Sequence, residues 1–313
     1  MQALLQIKNL AVSYYGLPIL EDVDLSIGQG EIIGIVGESG CGKSTLIRAV
    51  MGLLGSGGKI NSGSIIFDET DMLEISKEKV RRLRGSKLGM IFQNPEMSFN
   101  PIRKFQAQFL EAMRSHGKIN KKEAIEQIMS LFLKLNLQDG MQILNSYPFE
   151  LSGGMNQRVA IALAMALKPK LLLADEPTSA LDVTVQAQAV KEIMHLRDAC
   201  GTSILMVTHN IGVVSHIADK VAVMYAGRVV EFGDKHDVLL QPKHPYTQAL
   251  IASIPQIGGG IPKGITGCPP IFGEKLAGCG FAPRCDLYDK EYCCNKPDVK
   301  VYGNGHWALC GKL

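Results

Sequence analysis

The amino-acid sequence predicts an α/β fold with a helical insertion and a small cysteine-rich extension at its C-terminal end. Three observations lead there. The short apolar run at 31–36, with its β-branched residues, reads as a strand, and the runs 170–174 and 203–207 read as fully buried parallel strands. The first runs into a glycine-rich stretch and then an amphipathic segment over 43–54, which is the strand, loop, helix order of an α/β unit. Between 101 and 167 the pattern is helical, with charged runs such as Lys121-Lys-Glu-Ala-Ile-Glu126 and no good strand candidate.

Further elements follow in order. Segments 64–67 and 88–92 read as strands, about 155–167 and 183–199 as helices. Residues 220–225, the pair Ala226-Gly227 and the run 228–232 predict a hairpin. The Gly- and Pro-rich stretch 255–267 marks a linker, so the domain boundaries expected are 1–255 and 256–313.

With 313 residues and 46% apolar content the chain can bury a sizeable core. Its 33 basic and 30 acidic residues are too balanced for a nucleic-acid-binding surface. The N-terminus lacks the basic start and apolar run of a secretory signal, and no stretch reaches membrane-spanning length. A cytoplasmic chain is expected, and any membrane role then needs separate membrane-embedded partners.

The segment Gly37-Glu-Ser-Gly-Cys-Gly42-Lys43-Ser44 fits G-x-x-x-x-G-K-[ST] at a strand-to-helix junction. Glycines let the backbone wrap phosphate oxygens, and the helix N-terminus faces the anion. Gly37, Ser39, Gly40, Cys41, Gly42, Lys43, Ser44 and Thr45 are the candidate cradle for ATP. Lys43 is expected on the β- and γ-phosphates, and Ser44 on Mg²⁺. After the buried run 170–174 comes Asp175-Glu176, where a strand end delivers carboxylates to the ligand edge of the sheet. Asp175 is the candidate Mg²⁺ ligand, and Glu176 the group that polarises the attacking water.

The run Leu151-Ser152-Gly153-Gly154-Met155-Asn156-Gln157-Arg158 resembles the LSGGQ signature of ATP-binding cassette proteins, with methionine in place of glutamine. The resemblance covers about 4–255. It implies a P-loop NTPase cassette: a RecA-like core, an N-terminal antiparallel β part, and a helical subdomain inserted at about 98–167. It also implies that Ser152, Gly153 and Gly154 cap a helix and close over ATP held by a partner, so a head-to-tail dimer is expected. Gln93 resembles the glutamine that senses Mg²⁺ or water and relays to membrane subunits, 179–182 the D-loop, and His209 the switch histidine on the γ-phosphate. Tyr14 and Tyr15 compete for the adenine-stacking position, with Tyr15 favoured beside Gly16.

Within the family, 93–101, the Ser-Gly-Gly-Met signature and His244-Pro-Tyr-Thr247 look like the oligopeptide, dipeptide and nickel importers. This resemblance implies an ATP-hydrolysing subunit on the cytoplasmic face of the plasma membrane. Its implied partners are a second, related cassette, two membrane permeases and an extracytoplasmic substrate-binding protein, with no nucleic acid. Peptides are the expected cargo, nickel or a metal chelate the alternative; a soluble cassette acting on DNA or ribosomes would carry tandem cassettes or a coiled-coil insertion. The tail, with Cys279, Cys285, Cys293, Cys294 and Cys310, is similar to the C-terminal extension of peptide-importer cassettes, in which four cysteines can hold a [4Fe–4S] cluster. Thiolates suit iron–sulfur or zinc. Cys279, Cys285, Cys293 and Cys310 are the expected set, with Cys294 competing for the third place and His306 in reserve for zinc; Cys268 is read as outside it.

Overall fold

A computed structural model of the chain describes residues 3–178, 183–255, 262, 264–271, 273, 274, 276 and 278–312. In chain order its elements begin β1 (Leu5–Tyr14), β2 (Leu17–Ile27), β3 (Ile32–Val36), α1 (Lys43–Val50), β4 (Gly58–Phe67), β5 (Thr70–Asp71), α2 (Lys77–Leu83) and β6 (Leu88–Ile91). Four helices follow: α3 (Phe105–Arg114), α4 (Lys121–Lys134), α5 (Gly140–Asn145) and α6 (Gly153–Met165). Next come β7 (Leu171–Asp175), α7 (Val183–Cys200), β8 (Ser203–Val207), α8 (Ile211–Ile217), β9 (Lys220–Tyr225), β10 (Arg228–Asp234), α9 (Lys235–Leu240) and α10 (Pro245–Ala252). The tail holds α11 (Lys290–Cys293), β11 (Val299–Gly303) and β12 (His306–Leu309). The chain divides into two compact units.

One unit comprises Ile27–Glu31 and Glu74–Met206 with the extreme N-terminus. Here β6, β7 and β8 lie side by side, and β6 runs parallel to β7 with Leu88 opposite Leu171. Every residue of β7 and β8 is buried, which is why their sequences are continuous apolar runs. The insertion is helical as predicted. Phe105, Phe109 and Met113 of α3 and Ala124, Ile128, Leu131 and Phe132 of α4 are buried at helical spacing, and the rings of Phe109 and Phe132 meet edge-on at 5.8 Å. Asn120 caps α4 by accepting from the Glu123 N–H at 2.8 Å. No strand lies between 98 and 167 among the described residues.

The other unit comprises Leu5–Ser26, Ile32–Leu73 and Val207–Leu313. It holds an antiparallel sheet in the order β2-β1-β4-β5 and a second run of strands, β11-β12-β10-β9-β3, in which only the β3/β9 pair is parallel among the pairings described. The antiparallel N-terminal part implied by the resemblance is therefore present. Its strand β4 is longer than the predicted 64–67, and α1 stops at Val50 instead of 54 because Gly52 and Gly55 both adopt positive φ. The β9–β10 turn is formed by Ala226 (φ 47°) and Gly227 (φ 80°), the two left-handed residues that a tight hairpin of this hand requires.

The tail is better built than its length suggests. β12 pairs with β10, setting Ala308 against Glu231 and Trp307 against Phe232, so the tail extends an existing sheet. Phe281 is buried in one core with Tyr225, Tyr246, Val223 and Val230. Residues 179–182, the D-loop of the resemblance, and 256–261 and 263 of the linker lie outside the described residues. No helix is long and apolar enough to cross a membrane, among the described residues.

Candidate nucleotide site

The loop at 37–44 leaves the end of β3 and closes at the first turn of α1. Two of its glycines are obligatory for different reasons. A Cβ on Gly37 (φ 154°) would stand 2.2 Å from the backbone oxygen of Met224, whereas Gly42 caps α1 in the left-handed region at φ 104°. Gly40, also at positive φ, has no atom within 4 Å of a Cβ position, and with exposed Ser39 it forms the open crest. Lys43 is 6% exposed, and its ammonium donates to the carbonyls of Gly37 and Glu38, both at 2.8 Å, and to Cys41 Sγ at 3.6 Å. Those bonds hold the lysine across the loop. Burial pushes the Cys41 thiol up, although Lys43 acts in the opposite sense. Behind the loop, Gly227 N–H donates to Cys41 O at 3.0 Å, so the β9–β10 turn buttresses it. Ser44 is half-buried and Thr45 buried on α1.

Tyr15, at φ 51°, is 81% exposed with its ring over Gly57, while Tyr14 is half-buried in β1. Of the two competitors, Tyr15 is the one with a free face. His209 follows β8 and is exposed.

In the other unit Gln93 and Glu176, 83 residues apart, meet. Gln93 Nε2 donates to Glu176 Oε2 at 2.8 Å. Asp175 closes β7 and is 4% exposed, while Glu176 is half-buried at φ 46°. The signature segment is assembled as expected: Ser152 is the N-cap of α6, its Oγ accepting from Met155 N–H at 3.4 Å, and Ser152 and Gly153 are exposed. The helix starts at Gly153, two residues earlier than predicted, because the serine cap leaves both glycines inside its first turn. Sequence reasoning missed the residue that positions this segment. Buried Asn156 donates from Nδ2 to Pro148 O at 2.9 Å and to Leu151 O at 3.4 Å, tying the approach to α6.

Cys279, Cys285, Cys293 and Cys310 line one cavity of about 180 Å³ together with His244 and Phe281. Cys279 N–H donates to Cys293 O at 3.0 Å, and a Cβ on Gly278 would stand 2.4 Å from the same oxygen, so the two cysteine-bearing segments approach closely. Cys294 and Cys268 are exposed. Burial pushes the Cys279 and Cys285 thiols up, reinforced by the other sulfurs. His306 lies in a buried polar network. Its Nε2 lies 2.8 Å from Glu231 Oε1 in a buried pair, and Glu231 also accepts from the N–H groups of Lys243 and His244. Among the described residues no group of three or more His, Cys, Asp or Glu is placed to hold a metal ion, so neither expected metal has a ready-made site.

The phosphate loop, the strand-end carboxylates and the capped signature define a cassette ATPase, and comparisons with known proteins agree. Residues 20–179 match the ABC transporter family, and 230–293 match the C-terminal region of oligopeptide/dipeptide transporters. The oligopeptide transport ATP-binding protein AppD of Bacillus subtilis is 41% identical over 99% of this chain and 97% of its own. OppD of Escherichia coli is 40% identical over 99% and 93%. Among solved structures, the dimeric cassette MJ0796 bound to ADP and Pi superposes with a TM-score of 0.66 at 26% identity, covering 74% of this chain and 98% of that one. For cbiO1 of Clostridium perfringens the values are 0.67, 27%, 77% and 92%. The chain belongs to the ABC transporter family, as an ATPase that uses ATP and Mg²⁺, and within it to the group of oligopeptide and dipeptide transport ATP-binding proteins.

Proposed function

We propose that this chain binds and hydrolyses ATP to energise the uptake of oligopeptides or dipeptides through a membrane importer. The observation that carries the reading is that one chain joins a phosphate loop closed by Lys43, a Gln93–Glu176 pair at the end of a buried strand, and a C-terminal region matched to peptide transporters. Relatives whose names specify peptides favour that cargo over nickel. Residues 1–255 are the cassette, with 98–167 as its helical subdomain, and 256–313 the extension.

Lys43 and the N–H groups of 37–45 take the triphosphate, with Tyr15 stacked on adenine. Ser44 and Asp175 offer the hard oxygens that Mg²⁺ prefers and Gln93 is the third candidate ligand; a bound ion would supply neutralisation of charge developing on the phosphates. Glu176 orients and polarises the attacking water, positioned by Gln93, and His209 contacts the γ-phosphate. Ser152, Gly153 and Gly154 close over the ATP of a second, related cassette. The other partners are two permeases and, through them, an extracytoplasmic binding protein, which places the chain peripherally on the cytoplasmic face of the membrane. Purification with the co-encoded membrane subunits tests this: peptides should stimulate ATPase activity, and stimulation by nickel alone would refute the cargo.

For the tail we propose a [4Fe–4S] cluster on Cys279, Cys285, Cys293 and Cys310. Support comes from four soft donors around one cavity of about 180 Å³, which suits a cluster with internal volume better than a single ion. Its role is to cross-link the segment. Anaerobic purification should yield iron and acid-labile sulfide in equal amounts, and zinc or neither would overturn the assignment.

A further inference from the structure

The cysteine-rich tail reaches the phosphate loop through one side chain. Arg284, next to Cys285, has a side chain only 3% exposed, and each of its five N–H donors finds an acceptor. Nε donates to Thr266 O at 2.9 Å. Nη1 donates to Glu38 Oε2 at 2.6 Å and to Tyr225 Oη at 3.2 Å, and Nη2 to Glu38 Oε1 at 3.1 Å and to Ile265 O at 3.4 Å. The guanidinium also lies 5.8 Å from the centre of the Tyr225 ring and 5.9 Å from that of Phe281. A cation desolvated this thoroughly is held by its carboxylate, and the bidentate geometry fixes that carboxylate in return.

Glu38 is the only acidic residue between Gly37 and Thr45. It is tied on every side. Its N–H donates to the hydroxyl of fully buried Tyr246 on α10 at 2.9 Å, and its carbonyl accepts from Lys43 Nζ at 2.8 Å and from Cys41 N–H at 3.4 Å. A carboxylate is the wrong sign for a loop that receives a triphosphate, and unpaired it would act on the phosphates well inside a screening length of about 10 Å. Arg284 cancels that charge and uses the same two oxygens to hold the loop backbone.

We propose that Arg284 is a positioning residue for the ATPase: from the tail, through Glu38, it neutralises and fixes the phosphate loop and so sets its affinity for the triphosphate. This rests on 37–45 being the ATP site. The full-length chain and its variants are titrated with ATP, ADP and AMP in the presence of Mg²⁺ by calorimetry. The variant R284M should bind ATP at least about tenfold more weakly, ADP less so and AMP least, because the freed carboxylate opposes each added phosphate charge. The double variant E38Q/R284M should recover at least half of the loss on a logarithmic scale, with E38Q measured to close the cycle. A merely structural tail would give equal losses for all three nucleotides and no recovery, and that result overturns the proposal, as does R284M binding ATP within about twofold of wild type. Should R284M not fold, R284K carries the test, since it keeps the charge and loses the fork: a threefold or larger loss for ATP, roughly, supports the proposal and no loss overturns it. A wild-type chain that binds no ATP would refute the site itself, and the proposal with it.

Discussion

Replacing Glu176 by Gln removes basicity and charge while leaving the local geometry almost untouched. The carboxylate accepts from Gln93 Nε2 at 2.8 Å, and the amide oxygen of a glutamine can accept the same bond. The positive φ of 46° is equally open to both residues, and Asp175 beside it stays buried. The substitution therefore isolates the chemistry. General-base catalysis is worth about 10²–10⁴ in rate, or about 2.7–5.4 kcal/mol in the barrier, so turnover of E176Q should fall by at least about a hundredfold. Affinity for ATP should stay within about threefold, because phosphate binding is assigned to the loop at 37–45. Phosphate release with Mg²⁺ and ATP measures the first quantity, and calorimetry the second. If assembly with a second cassette is as proposed, size-exclusion chromatography should also show an ATP-bound pair accumulating. Turnover within tenfold of wild type would refute the role of Glu176, and a parallel loss of ATP affinity would show that the residue binds instead of activating water.

Other substitutions separate the remaining roles. Gly37→Ala should destabilise the chain by about 2–4 kcal/mol, since its Cβ would meet the Met224 backbone oxygen at 2.2 Å on strained dihedrals, whereas Gly40→Ala meets open space and should cost about 1–2. Urea unfolding distinguishes them, and equal losses would contradict the packing. Asn156→Ala should cost about 1–3 kcal/mol and lower ATPase activity while ATP binding by the single chain persists, because it removes a side-chain bond from each of the Pro148 and Leu151 carbonyls before the signature. Tyr15→Ala should raise the KM for ATP about fivefold and Tyr15→Phe should not, a difference a core residue would not give. If the tail holds the proposed cluster, C293A should abolish iron and sulfide binding and C294A should leave it, since only the first lines the cavity.

How much could be read from the sequence depended on whether the physical cause was local. Strands β3, β7 and β8 were legible because burial on both faces imposes an unbroken apolar run. Strand β1 was not, because the register shift between Lys8 and Ala11, with Asn9 at φ 44°, breaks the alternation on which period-two reading relies. The hairpin of β11 and β12 escaped notice for a different reason. Its outer strand is exposed throughout and its inner one is four residues long, so neither carries a pattern, and only pairing with β10 makes it a sheet. Loop 37–44 was fully legible, since eight contiguous residues contain both the glycine conformations and the lysine. The meeting of Gln93 with Glu176 was available only by resemblance, as two strand ends 83 residues apart carry no local sign of contact.

Glu38 shows why the second kind of information matters most for function. It occupies one of the variable places in the G-x-x-x-x-G-K-[ST] pattern, which constrains nothing about its charge. The fold, however, surrounds it with Tyr246 from a helix after the last parallel strand and Arg284 from the tail, both buried. The only signals in the sequence were the lone basic residue between Cys279 and Cys285 and the tyrosine of His244-Pro-Tyr-Thr247, each bland alone. Cys285 lines the sulfur cavity and is covalently next to Arg284, so one peptide bond separates that cavity from a guanidinium bonded to the phosphate loop. A variable position in the motif thus becomes the point at which the C-terminal extension and the nucleotide loop share one ion pair, its arginine buried and its glutamate half-buried.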